Sequence, residues 1–261
     1  MAMGSKAFES PLISHARMRA LYRALVEARV LGERKGRGAA TGWRRGFEAC
    51  WVGTAVDLKD GDLVSVESAA WLVDYVRAVG AKDGSVTAAE MGRALRARTV
   101  KETGGGPAAM DRMLCAVGMA MALKAAGGGV VLAYAASDEL TVAEWKRLLT
   151  LANEDKLPLA IVVTPGRTPT GVDVSAVVKR LGATSIPVIP VDAGDAVAIY
   201  RVTQETLVRA RVGDGVAVIE CADCGLDPVR TMGNQLVKKK ICTEHWVSEV
   251  EVRFRARVAR G

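Results

Sequence analysis

Four short apolar runs, Val130–Ala135, Leu159–Val163, Pro187–Val191 and Val216–Cys221, alternate with segments of helical character over the second half of the chain. The intervening segments are Leu140–Asn153, Asp173–Leu181 and Gly194–Arg211. Runs so short and so uniformly apolar are strands buried on both faces. Their alternation with helices predicts a doubly wound α/β domain, a parallel sheet with helices on both faces. Ala, Val and Leu supply most of this core. With aromatic residues at only 5%, the layers must close through small and branched side chains.

The rest of the chain fits the same layered scheme. Met18, Leu21, Tyr22 and Leu25 recur at helical spacing within a long helix predicted over Pro11–Lys35. A Gly- and Arg-rich loop, Gly36–Gly42, separates it from a helix over Gly46–Leu58, which the turn Asp60-Gly61-Asp62 stops. Leu63–Glu67 reads as a short strand of alternating exposure, with helices over Ala69–Val79 and Ala88–Arg96 after it. Lys101–Pro107, with three consecutive glycines, is a loop, and Asp111–Ala126 is small and apolar all round, which predicts a buried helix. Thr243–Ala259 closes the chain as a helix with Trp246, Val250 and Phe254 on one stripe. One domain over 1–261 is expected, with helices 11–35 and 243–259 flanking the sheet.

The net charge is +7, so a polyanionic partner has to be weighed. The arginines are spread along helices among acids, and no aromatic platform or reading motif accompanies them. An ordinary solvated surface is therefore expected, not a nucleic-acid interface. Five cysteines, an odd number, fit a reduced compartment. No apolar run reaches the ~18 residues of a membrane span, and Met1–Ser5 lacks the apolar core of a leader. A cytoplasmic protein is expected.

Several segments, in order, resemble the alpha subunit of the thiamine-diphosphate-dependent 2-oxo acid dehydrogenases. Met18-Arg19-Ala20-Leu21-Tyr22 and Ala28–Arg34 are similar to its first helix, and Gly46-Phe47-Glu48-Ala49 to its Gly-Gln-Glu-Ala helix start. Asp60–Val64 resembles the turn and strand that follow. Val191–Asp195 through Gly213-Asp214-Gly215 to Val218-Ile219-Glu220 is the most similar stretch, and Lys239–Trp246 resembles the last helix. The resemblance implies the thiamine-diphosphate-binding fold.

The departures fall on the chemistry. In that family a Gly-Asp-Gly after one strand and an Asn-Asn after the next hold the Mg²⁺ of the diphosphate. Here the matching positions read Ala136-Ser137-Asp138 and Pro165-Gly166. A hard cation needs oxygen ligands at near-octahedral geometry; Ser137 offers a neutral hydroxyl and Gly166 no side chain. Asp138 comes one residue late, and Pro165 removes a backbone donor. The family's early histidine run is replaced by Ser68-Ala69-Ala70-Trp71, its loop histidine is absent from Lys101–Met110, and its late His-Gly-His segment reads Asp223-Cys224-Gly225. The only histidines, His15 and His245, lie in terminal helices. Ala136, Ser137, Asp138, Gly166 and Thr168 therefore mark a vestigial cleft with no catalytic residue, cofactor or metal expected.

Other features carry weaker signals. Cys221 and Cys224 form a CxxC that could be structural, redox-active or, with Cys242 and His245, a zinc site. Cys50 and Cys115 lie in apolar helices and read as core. The glycine runs Gly104–Gly106 and Gly127–Gly129 fit no phosphate-loop pattern and read as turns. Glu48 opens a helix, where a carboxylate interacts favourably with the dipole. Asp138 and Glu139 could pair on a metal, although adjacent acids after a strand more often cap a helix. Trp145, Leu148, Leu149 and Ala152 form a stripe that packs either on its own sheet or on another subunit. The basic C-terminal helix could likewise dock on a partner.

The expectation is a non-catalytic alpha-subunit-like protein that associates with itself or with a beta-like subunit. The alternative is an active 2-oxo acid dehydrogenase alpha subunit holding thiamine diphosphate and Mg²⁺, with Asp138 or Glu139 as the replacement ligand. A basic nucleic-acid or small-anion binder is a third class.

Overall fold

The computed structural model describes residues 13–35, 43–66, 70–79, 109–168, 171–182 and 185–260. Among them are helices α1 (His15–Lys35), α2 (Glu48–Ala55), α3 (Ala70–Val79), α4 (Ala109–Ala126), α5 (Val142–Glu154), α6 (Val174–Leu181), α7 (Ala196–Arg211), α8 (Pro228–Lys238) and α9 (Glu244–Arg260). The strands are β1 (Leu63–Ser65), β2 (Val131–Ala136), β3 (Leu159–Thr164), β4 (Val188–Asp192) and β5 (Ala217–Ala222). They form one five-stranded, all-parallel sheet in the order β1-β2-β3-β5-β4.

The alternation along β2 explains the layering. Val130, Leu132 and Tyr134 pack with α1, α2, α3, α7, α8 and α9. Val131, Ala133 and Ala135 pack with α4, α5 and α6 on the opposite face. Every residue of β3 is buried, and in register Val131 faces Leu159 and Ala135 faces Val163. Burying one such Val or Leu contributes about 1.5–3 kcal/mol. The step from β4 back to β5 reverses the direction of winding, which is why α7 lies on the face opposite α5 and α6.

Local signals set the helix ends. Thr141 and Glu144 form a reciprocal capping box at the start of α5. Asp173 and Asp195 cap α6 and α7, and Gly182, with φ of 62°, ends α6 in the left-handed conformation. Thr243 accepts the Trp246 N–H at the start of α9.

Two expectations need correction, one open alternative is decided, and one helix is new. α4 is not buried all round: Met113, Ala116, Val117 and Ala120 face the sheet, while Cys115, Gly118 and Met121 are exposed. Cys115 is thus a surface thiol, whereas Cys50 is buried. The stripe Trp145, Leu148, Leu149 and Ala152 is fully buried against its own sheet, so it offers no subunit interface. Helix α8 went unpredicted although its signals are in the sequence: Asp227 accepts the Arg230 N–H as N-cap, Pro228 opens the helix, and Val229, Met232 and Leu236 share a buried stripe. The predicted helix Ala88–Arg96, the loops Gly36–Gly42 and Lys101–Pro107, and Ser68 and Ala69 lie outside the described residues.

Candidate functional site

The C-terminal ends of β2 and β3 lie side by side, with Ala136 paired to Thr164, and the loops beyond them are bonded together. Ser137 donates its N–H to the Thr164 carbonyl at 2.9 Å, and its carbonyl accepts from Val172 N at 2.8 Å. Its Oγ accepts the Gly166 N–H at 3.0 Å. Asp138 Oδ2 accepts from Arg167 N at 2.8 Å, Thr168 N at 2.9 Å and Thr168 Oγ1 at 3.0 Å. The structure thus brings Ser137, Asp138, Gly166 and Thr168 together.

The contact is tight enough to require glycine. A Cβ on Gly166 would stand 2.6 Å from Asp138 Cγ, and one on Gly171 would stand 2.3 Å from Ser137 Oγ. Slight burial raises the Asp138 pKa, but hydrogen bonds from the Thr168 N–H and hydroxyl and the Arg167 N–H outweigh it. The carboxyl is held below its ordinary value.

These residues do not fit a diphosphate–Mg²⁺ group. The loop N–H groups that would receive a phosphate already donate to Asp138, whose Oδ2 is saturated by three donors. Glu139 Oε2 accepts from Arg112 Nη2 at 2.7 Å. Ser137 and Gly166 add no charged ligand, and no three His, Cys, Asp or Glu side chains converge among the described residues.

Beside this bridge lies a cavity of about 350 Å³. Phe47, Trp51, Tyr134, Ala135 and Pro165 form its apolar wall, and Arg44, Arg112 and Arg167 carry positive charge into it. Arg44 Nη1 donates to the carbonyls of Pro165 at 3.2 Å and Gly166 at 2.7 Å. The same guanidinium lies 4.3 Å from the centroid of the Phe47 ring. Tyr134 and Thr54 share a 2.6 Å hydroxyl contact, and burial pushes the phenol pKa well up. Sequence reasoning missed all three arginines. For Arg112 the signal was a cation in the first turn of a mostly apolar helix. Arg44 sits just before the Gly46–Ala49 segment.

A second, more open crevice of about 490 Å³ lies where β3 and β5 send their helices to opposite faces. Its carboxylate is engaged as well: Glu220 accepts from Val174 N at 2.8 Å and Ser175 Oγ at 2.9 Å, anchoring the start of α6.

The remaining candidates are dispersed. Cys221 is buried and meets Cys50; that hydrogen bond, together with burial, raises the Cys50 thiol pKa. Cys224 is exposed near Asp192, so the CxxC cysteines face different environments. Cys242 is partly exposed near Arg19 and Arg23. His245 projects from α9 beside Glu249, and His15 begins α1. Glu48 is fully buried as the partner of Arg29, a larger role than its helix-start position suggests.

No helix among the described residues is long and apolar enough to cross a membrane. Compared with known proteins, the chain matches no family model, and no curated protein matches it at a significant level.

Proposed function

We propose that this chain is a non-catalytic protein with a thiamine-diphosphate-binding type of fold, similar to the alpha subunit of the 2-oxo acid dehydrogenases, that works by association. The observation that carries the reading is the Asp138 carboxylate seated on the Arg167 and Thr168 N–H groups. An internal anion there competes with any phosphate for the same donors. With Glu139 held by Arg112 and Oδ2 of Asp138 taken up by loop donors, both acids are already engaged, which weighs against an active dehydrogenase.

Association is supported by α4. That helix has only three charged residues, Asp111, Arg112 and Lys124. It exposes Cys115, Gly118 and Met121 on the side away from the sheet, and contiguous exposed apolar surface marks interaction sites. The partner is a second copy or a beta-like subunit.

Two measurements test this. Calorimetric titration with thiamine diphosphate in excess Mg²⁺ should give no heat, and Mg²⁺-dependent micromolar binding would restore the enzyme reading. Sedimentation velocity over a hundredfold concentration range, alone and with a dehydrogenase beta subunit, should show association. A monomer under every condition would sink the proposal.

A further inference from the structure

The lining of the 350 Å³ cavity includes a cation, Arg44, that no carboxylate among the described residues holds. The partners of Arg44 among the described residues are neutral: the carbonyls of Pro165 and Gly166 and the ring of Phe47. The remaining charges on the lining are Arg112 and Arg167 against Asp138 and Glu139. Glu139 is committed to Arg112, and Asp138 to backbone donors and the Thr168 hydroxyl.

We infer that this cavity binds a small aryl monocarboxylate, with the carboxylate on Arg44 and the ring against Phe47, Trp51 and Tyr134. Two carbonyls hold Nη1 of the guanidinium in place, so its remaining edge is oriented before a ligand arrives. A planar, pre-organised fork suits a carboxylate. The two carboxylates on the same wall repel a dianion, which selects a single negative charge over a phosphate. The volume falls at the lower end of the roughly 300–1,000 Å³ of small-molecule sites. The Trp51 and Tyr134 rings, 4.8 Å apart and tilted by 34°, line the cavity together with Phe47 and supply aromatic contact to a ring. Binding here requires neither self-association nor a beta subunit.

Calorimetric titration of the full chain with phenylacetate, phenylacetamide and inorganic phosphate tests the site. Phenylacetate should bind, with the neutral amide at least about tenfold weaker, the size expected for a charge-assisted hydrogen bond. Phosphate should be weaker than phenylacetate. Arg44→Ala should reduce phenylacetate affinity at least tenfold, and Arg44→Lys should recover part of it. Equal binding of amide and acid, or undiminished binding to R44A, overturns the role of Arg44. Phosphate binding as tight as phenylacetate overturns the monocarboxylate class, and no heat with any probe overturns the site. The acid–amide comparison uses the unmodified protein and stands even if R44A does not fold.

Discussion

Arg29 and Glu48 meet as a buried bidentate pair, Nε to Oε1 and Nη2 to Oε2, both at 3.0 Å. Arg29 Nη1 also reaches Asp227, the N-cap of α8, at 2.9 Å, and Glu48 Oε2 accepts the Gly46 N–H. One guanidinium thereby ties α1, α2 and α8 together. The two residues are nineteen positions apart, in separate helices, and each carries part of the same buried junction.

Breaking that pair from one side should be costly, because a permanently charged guanidinium would remain buried. Glu48→Ala is expected to destabilise the fold by about 3–5 kcal/mol, read as a lower denaturation midpoint. Replacing Arg29 and Glu48 together by Met and Leu should cost much less than the two single changes combined. Additive losses would mean that the two side chains do not act as a unit.

Asp138→Asn probes the bridge between the β2 and β3 loops. The folded carboxyl titrates below its usual value, so its stabilising effect is present above about pH 4 and is lost as the pH falls through the folded pKa. D138N should therefore melt at a lower temperature than the unmodified protein at pH 7, with the gap narrowing below pH 4. A gap that does not change with pH would separate the bridge from the charge on Asp138.

The sheet was legible because period and burial agree. Each apolar run from Val130 to Cys221 became a strand, and each intervening segment a helix. What the sequence hid were relationships set by tertiary geometry. The α4 helix looks uniformly apolar, and its alternation of sheet-facing Met113, Ala116 and Ala120 with exposed Cys115 and Gly118 depends on what packs against it. Asp138 drew attention as a displaced metal ligand. Its attachment to Thr168, thirty residues away, follows from parallel pairing of β2 with β3, which no local spacing encodes. Asp227-Pro228 suits a turn as well as a helix start, and the burial of Val229, Met232 and Leu236 decides for the helix.

Gly32 should tolerate no side chain. A Cβ there would lie 2.1 Å from Cε2 of Trp43, whose ring packs on α1. Gly32→Ala is expected to destabilise by about 1–3 kcal/mol through overpacking. The matched change Gly118→Ala, in open space on α4, should stabilise by about 0.5–1 kcal/mol from helix propensity. Thermal melting of the two variants distinguishes steric conflict from a general effect of removing glycine.

Glu27 gives the fold a pH dependence near neutrality. Tyr75 donates its hydroxyl to Glu27 Oε2 at 2.9 Å. Burial raises the carboxyl from 4.5 to about 7, against the lowering effects of Tyr75, Arg257 and Arg23. The unfolded chain releases this proton near 4.5, so between that value and about 7 the native state binds more protons and stability falls as the pH rises. The loss approaches about 3 kcal/mol above pH 7. Glu27→Gln keeps an oxygen for Tyr75 and removes the titration. E27Q should match the unmodified protein near pH 4.5 and become the more stable of the two at pH 8, as read from urea midpoints at each pH. The same stability difference at both pH values would show that the Glu27 carboxyl does not titrate between them in the folded protein.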